Sequence, residues 1–231
     1  MRIALLFQKH NFVGREYYAR LVASGLRPDL VVAVGRMKPE SIMFEQARTA
    51  GLWNPPDIPP GCIAREFDSL SDASVAELLR RERIDVAIQG GIGILKGDIL
   101  KAVTIGFLNV HPGRLPHYRG NACPEWAILN GDPVVATAHL IDEGIDTGPV
   151  ITSRAYEISP VWRYADFRAH LYEHNASVLI EALRLLARDG AAAAIPQSSD
   201  GARYYPQLTA EQRAAVEARF PIKKVEVKPT Q

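Results

Sequence analysis

The sequence predicts an α/β fold: a Rossmann-like, mostly parallel sheet with helices on both faces and a short C-terminal appendage. Short apolar runs alternate with segments of helical period through the first half of the chain, an order that builds parallel sheets. With 231 residues and 47% hydrophobic content, one core suffices without disulfides or structural metal. A domain over 1–190 with an extension over 191–231 is the expected organisation.

The strands are expected at 2–7, 30–35, 85–89 and 106–110. Helices are expected at 15–24 and 71–83, the second placing Val75, Leu78 and Leu79 on one face behind a cap at Ser71. Residues 54–61 read Asn-Pro-Pro-Asp-Ile-Pro-Pro-Gly, and prolines that lack donors and fix φ make this a surface loop. The longest helix is expected over 164–188, where Leu171, Val178, Ala182 and Leu185 share a face and Gly190 supplies a stop. Beyond the alanines at 191–194, Tyr204 and Tyr205 favour packing over an exposed aromatic surface, and a short helix follows over 210–219. Residues 223–231 alternate Val225 and Val227 with charges, as an edge strand or a frayed end would. Such an edge, guarded by Lys223, Lys224 and Lys228, leaves a homodimer open.

A formal net charge of +1 supplies no counterion-release drive toward nucleic acid, so no nucleic-acid partner is expected. Cys62 and Cys123 match no metal or redox spacing and read as ordinary thiols. No run of eighteen apolar residues and no secretory cleavage pattern is present, so the expectation is a cytoplasmic protein without a membrane partner. His170 and His174 have an i,i+4 spacing, but the residues between them do not complete a zinc motif and no metal is expected.

The chemistry concentrates in residues 106–148. A strand ends in Asn109-Val110-His111-Pro112, and ligands of open α/β sheets sit outside the carboxyl ends of strands. Residues two apart on a strand share a face, so Asn109 and His111 can meet one substrate. A second strand end, His139 to Gly148, offers Asp146 as a carboxylate beside His111. His139 itself reads equally as a satisfied core histidine and as a partner standing behind the reacting groups.

The pattern Asn-x-His-Pro-x-x-Leu-Pro-x-Tyr-Arg-Gly followed by Asp-x-Gly resembles the folate-dependent formyltransferase family, strongly over residues 84–153 and in outline elsewhere. The resemblance implies a 10-formyltetrahydrofolate donor and no metal. It places the family's catalytic residues on Asn109, His111 and Asp146. Folate contacts would fall on Gly91, Ile92, Gly93, Ile94 and Leu95 and on Ile141, Asp142, Glu143, Gly144 and Ile145. In that scheme Asn109 donates to the formyl oxygen, His111 relays a proton, and Asp146 orients the imidazole and favours its charged form.

Among acceptors, glycinamide ribonucleotide is disfavoured because the phosphate loop after the first strand is replaced by Phe7-Gln8-Lys9-His10-Asn11-Phe12-Val13-Gly14. Methionyl-tRNA is disfavoured by the charge and by the short segment after the long helix. The texture of Asp-Glu-Gly-Ile-Asp-Thr-Gly with Trp126 resembles sugar N-formyltransferases, implying a nucleotide-linked amino sugar. Gly113 departs from the serine of many relatives. The alternatives are another amine such as an amino acid, hydrolysis of the formyl donor, and a non-catalytic folate-binding module.

Overall fold

The computed structural model describes residues 1–71 and 73–221. In chain order the elements are β1 (Ile3–Lys9), α1 (Phe12–Ala23), β2 (Leu30–Arg36), α2 (Pro39–Arg48), β3 (Arg65–Phe67), α3 (Ala73–Arg81), β4 (Val86–Gly90) and β5 (Gly106–His111). They continue with β6 (Arg119–Gly120), α4 (Cys123–Asn130), β7 (Val135–Leu140), β8 (Val150–Ala155), α5 (Tyr164–Asp189), β9 (Tyr204–Tyr205) and α6 (Ala210–Glu217). The main sheet has the order β3-β2-β1-β4-β5-β7-β8. Its first five strands are parallel, and β7 runs antiparallel to both β5 and β8.

Period-two geometry sorts the strand side chains into two covered faces. Ile3, Leu5 and Phe7 pack with Tyr17 and Leu21 of α1 and with Ala176, Leu179 and Leu183 of α5. Ala4 and Leu6 face the other way, against Val75, Leu78 and Leu79 of α3. The mostly parallel sheet with helices on both faces is therefore what the sequence predicts.

The differences have local causes. Helix α1 opens at Phe12 because the Asn11 side chain accepts from Val13 N at 2.9 Å and caps it. Ser71 does not cap α3; its hydroxyl pairs with that of Ser69 at 2.8 Å, and the helix starts at Ala73. It ends at Arg81, and Arg83 turns away at φ 51°. Helices α2 and α4 and strands β3, β6, β8 and β9 go beyond the elements read from sequence. The expectations for 223–231 lie outside the described residues.

The chain after α5 returns to the body. Strand β9 pairs with β6, Tyr205 stacks on Tyr118 at a ring separation of 4.8 Å, and Val216 of α6 joins Phe167 and Leu171 in a third apolar cluster. Tyr205 is thus packing, while Tyr204 is exposed and accepts from Asn121 Nδ2 at 3.2 Å. Among the described residues no helix is long and apolar enough to cross a membrane.

Candidate active site

Strands β1, β4 and β5 end side by side, and their following loops are tied together there. Asn11 Nδ2 donates to Gly91 O at 3.1 Å, while Gln89 holds the next loop by donating to Gly93 O at 3.1 Å and accepting from Gly91 N at 3.0 Å. Gly91 has φ 83°, and a Cβ there would lie 2.4 Å from the Asn11 amide. Only glycine fits this close approach.

Asn109 of β5 lies directly across from His139 of β7 in the antiparallel register. His139 Nδ1–H donates to Leu140 O at 2.9 Å, leaving Nε2 as an acceptor for Asn109 Nδ2–H at 3.1 Å. This fixes the tautomer of one residue and the amide orientation of the other, with one Nδ2–H still free. Burial pushes His139 down to about 4, His111 nearby acts in the same direction, and Asp146 opposes them.

His111 uses Nε2–H to donate to Tyr118 O at 2.8 Å. Its Nδ1 faces Asp146 Oδ2 at 3.5 Å, and His139 Nε2 lies 3.7 Å from Asp146 Oδ1. Burial holds His111 below its ordinary value, and this outweighs the opposing pull of Asp146 and the Tyr118 carbonyl. Asp146 thus pulls toward the charged imidazole, in the direction read from sequence, but burial outweighs it in the free protein. The neutral ring presents an Nδ1 lone pair beside a carboxylate, two acceptors that suit a proton-bearing group. Gly113 makes this pose possible, since a Cβ there would stand 2.5 Å from His111 Nε2 and 2.6 Å from Tyr118 O.

Asp146 sits at φ 56°, a left-handed conformation that a non-glycine residue adopts at a cost of about 1–3 kcal/mol. Gly120 N donates to its Oδ2 at 2.8 Å, and Gln197 Nε2 donates to its carbonyl at 3.0 Å and to Gly148 O at 2.6 Å. Arg119 donates to Gln197 Oε1 at 2.8 Å. Gln197 was not singled out from sequence. Gln197 gave no local signal because its partners lie far away in the chain.

Two clefts meet here. One, of about 220 Å³, is lined by Gly93, Ile94, Leu95, Ile141, Gly144 and Ile145, with Gln89, Asn109, His139 and Asp146 as its polar residues. The large side chains of Ile94 and Ile145 stand exposed at it. A flat heterocycle fits such an apolar slot with a few polar groups. Of the remaining residues expected to contact folate, Gly91 lines the second cleft and Ile92 is buried in the sheet core. Asp142 accepts from Gly144 N and Thr147 Oγ1, and Glu143 accepts from Gly97 N, so these two hold loops together. The second cleft, of about 350 Å³, shares Gln89 and Asn109 with the first and reaches Glu125 of α4, Arg168, Tyr172 and Asn175 of α5, and Arg213 of α6.

The other histidines lie elsewhere. His170 is exposed and stacks on Trp162, whereas His174 is half-buried against the Arg154 carbonyl. Among the described residues no group of three or more His, Cys, Asp and Glu could hold a metal ion.

Fold and site together define a doubly covered α/β sheet protein with a small-molecule cleft at its strand ends. The chain belongs to the formyl transferase family, whose profile matches residues 27–183. It is 37% identical over 126 residues to a methionyl-tRNA formyltransferase of Deinococcus radiodurans, a match covering 54% of this chain and 40% of that protein. A methionyl-tRNA formyltransferase of Burkholderia multivorans is 34% identical over 198 residues, 84% of this chain and 59% of that one. The chain spans about half the length of the curated relatives it matches. Glycinamide ribonucleotide transformylase 1 from Symbiobacterium toebii shares the fold at a TM-score of 0.59 and 22% identity, covering 81% of this chain and 88% of that chain. So does an N-formyltransferase from Helicobacter canadensis solved with folinic acid and dTDP-3-aminofucose, at 0.59 and 14%, covering 89% and 70%.

Proposed function

We propose that this chain transfers the formyl group of 10-formyltetrahydrofolate to a primary amine, and that the amine belongs to a nucleotide-linked amino sugar. The observation that carries the reading is the position of Asn109, whose amide lines both clefts and keeps one Nδ2–H available. The folate, in the apolar slot, supplies the formyl group. Asn109 donates to the formyl oxygen as negative charge gathers there, a contact typically worth about a hundredfold to a thousandfold in rate. As the amine nitrogen bonds to the formyl carbon, the Nδ1 lone pair of His111, beside the Asp146 carboxylate, takes the proton that the amine sheds and passes it to the folate nitrogen as the bond from that nitrogen to the formyl carbon breaks, proton transfer being typically worth about a further hundredfold to ten-thousandfold. His139 keeps the Asn109 amide aimed.

The nature of the second cleft supports a small acceptor. At the start of α1, where a phosphate would otherwise meet free amides, the Asn11 side chain occupies Val13 N, which argues against glycinamide ribonucleotide. Methionyl-tRNA is the second reading, favoured by the names of the relatives at 32–38% identity. Tetrahydrofolate formation measured with nucleotide-linked amino sugars, methionyl-tRNA and no amine separates these. Turnover with amino sugars is expected. Turnover with methionyl-tRNA alone would replace the acceptor, and formate release without amine would make the chain a hydrolase.

A further inference from the structure

The floor of the second cleft is a buried ionic lattice. Arg168 donates to Glu125 Oε1 at 3.0 Å and to the Tyr172 hydroxyl at 2.5 Å, and Tyr172 donates to Glu45 Oε2 at 2.7 Å. Arg48 pairs with Glu45 at 2.7 Å and also donates to Tyr172. Trp53 stacks on Tyr172 at 3.6 Å and holds it in place. Four charges of this lattice are therefore matched within the protein, Glu125 with Arg168 and Arg48 with Glu45.

Three polar atoms are not satisfied. Glu125 Oε2, Asn175 Oδ1 and Arg168 Nε are buried without a hydrogen-bond partner among the described residues, on residues only 2%, 5% and 4% exposed. A buried donor or acceptor left without a partner is unfavourable. Two acceptors and one donor at the floor of one cleft match hydroxyl groups, which both donate and accept.

The rim adds a charge. Arg213 of α6 lies over the Phe44 ring at 5.2 Å, and Arg48 lies over the same ring at 5.2 Å. Arg48 has its carboxylate; Arg213 has none among the described residues. Two guanidinium groups sharing one ring leave an uncompensated positive charge at the entrance. An anion bound there would be held by charge-assisted hydrogen bonds of fixed fork geometry.

We propose that this cleft takes a hydroxylated primary amine carrying a phosphoester or phosphoanhydride, its hydroxyl groups on Glu125, Asn175 and Arg168 and its phosphate on Arg213. The proposal rests on the second cleft being the acceptor side of the formyltransferase reading and assigns the residues that select the acceptor. It also locates the phosphate contact outside the family match, since Arg213, like the cleft residues Gln207 and Leu208, lies beyond residue 183, whereas Glu125, Arg168 and Asn175 fall within it. A cleft of about 350 Å³ suits a small molecule rather than a polynucleotide track, and a net charge of +1 gives no extended phosphate path.

The first test is direct binding of inorganic pyrophosphate and of uridine diphosphate to the full chain by titration calorimetry, which needs no turnover. Binding by the unaltered chain is expected to weaken about tenfold or more in Arg213→Ala, which removes the charge-assisted hydrogen bonds, and to return in part in Arg213→Lys, which restores the charge without the fork. Failure of either probe to bind, or unchanged binding in Arg213→Ala, overturns the proposal. The second test compares KM for free and diphosphate-linked forms of amino sugars. Arg213→Ala is expected to raise KM for the linked form alone and leave the folate KM unchanged, and Asn175→Leu to raise KM for both forms. Equal KM for free and linked forms in the unaltered chain overturns the phosphate assignment even if formyl transfer is established. Turnover of methionyl-tRNA with no pyrophosphate binding overturns it in favour of a polynucleotide acceptor.

Discussion

Asn109 and His139 face each other across the β5–β7 register with their side-chain nitrogens 3.1 Å apart, so the imidazole sets the direction of the amide. Substituting His139 by Leu frees that amide to rotate. Because misplacement of a reacting group by about 1 Å can cost a hundredfold, kcat is expected to fall roughly tenfold to a hundredfold. His139→Gln, which keeps an acceptor, is expected to recover part of the loss. Equal activity of the Leu variant and the unaltered chain would show that His139 does not aim Asn109.

Burial holds His139 neutral, at about 4, and holds His111 below its ordinary value. An unfolded chain protonates both at the ordinary histidine pKa near 6.5. Between that pH and the lower folded values the unfolded state binds more protons, so stability must rise with pH across the window and fall on acidification. His139 alone corresponds to a loss of up to about 3 kcal/mol by the time pH reaches its folded value. Urea midpoints measured from pH 7 down to pH 4 are expected to drop, and the drop should shrink in His139→Leu. A flat profile in the unaltered chain would contradict the assigned neutral forms.

Gly113 should resist even a small side chain. A Cβ there meets His111 Nε2 at 2.5 Å, so Gly113→Ala must push the imidazole off the Tyr118 carbonyl and move Nδ1 relative to Asp146. The expected outcome is a roughly tenfold or greater loss of kcat with folinic acid affinity nearly unchanged, because the apolar cleft does not include Gly113. A parallel loss of folate affinity would mean that the loop, rather than the imidazole, had moved.

The sheet was legible where strands are buried on both faces. The runs that became β1, β2, β4 and β5 stand out as apolar segments because every second residue meets a helix layer on its own side. Helix α2 was missed because it has no buried residue, and β3 because it is three residues long and mostly exposed. Asn109 and His111 could be paired from one strand's periodicity. The hold of Gln197 on the Asp146 loop could not, since it joins residues 51 positions apart with no repeating pattern between them. The place of Arg213 beside Phe44 was invisible for the same reason: contacts between α2 and α6 are set only by how the chain returns after α5.

The Glu125–Arg168 pair supplies the sharpest stability test. Burial works to raise Glu125, but Arg168 and Arg48 with the Tyr164 hydroxyl hold it below the ordinary carboxylate value; burial works to lower Arg168, but Glu125 and its neighbours raise it. Both groups therefore stay charged inside the protein. Arg168→Met leaves Glu125 ionised without its main partner, a change that typically costs about 3–5 kcal/mol. Replacing both, as Glu125→Leu with Arg168→Met, removes the stranded charge and is expected to restore most of that loss, since apolar residues of similar volume substitute well for a buried pair. The double variant should nevertheless remain poor at formyl transfer, because the cleft floor has lost the groups that hold the acceptor's hydroxyls. Chemical denaturation of the two single variants and the double variant decides the matter. A double variant no more stable than Arg168→Met would mean that the pair is held by the packing of α4 on α5 and not by its charges.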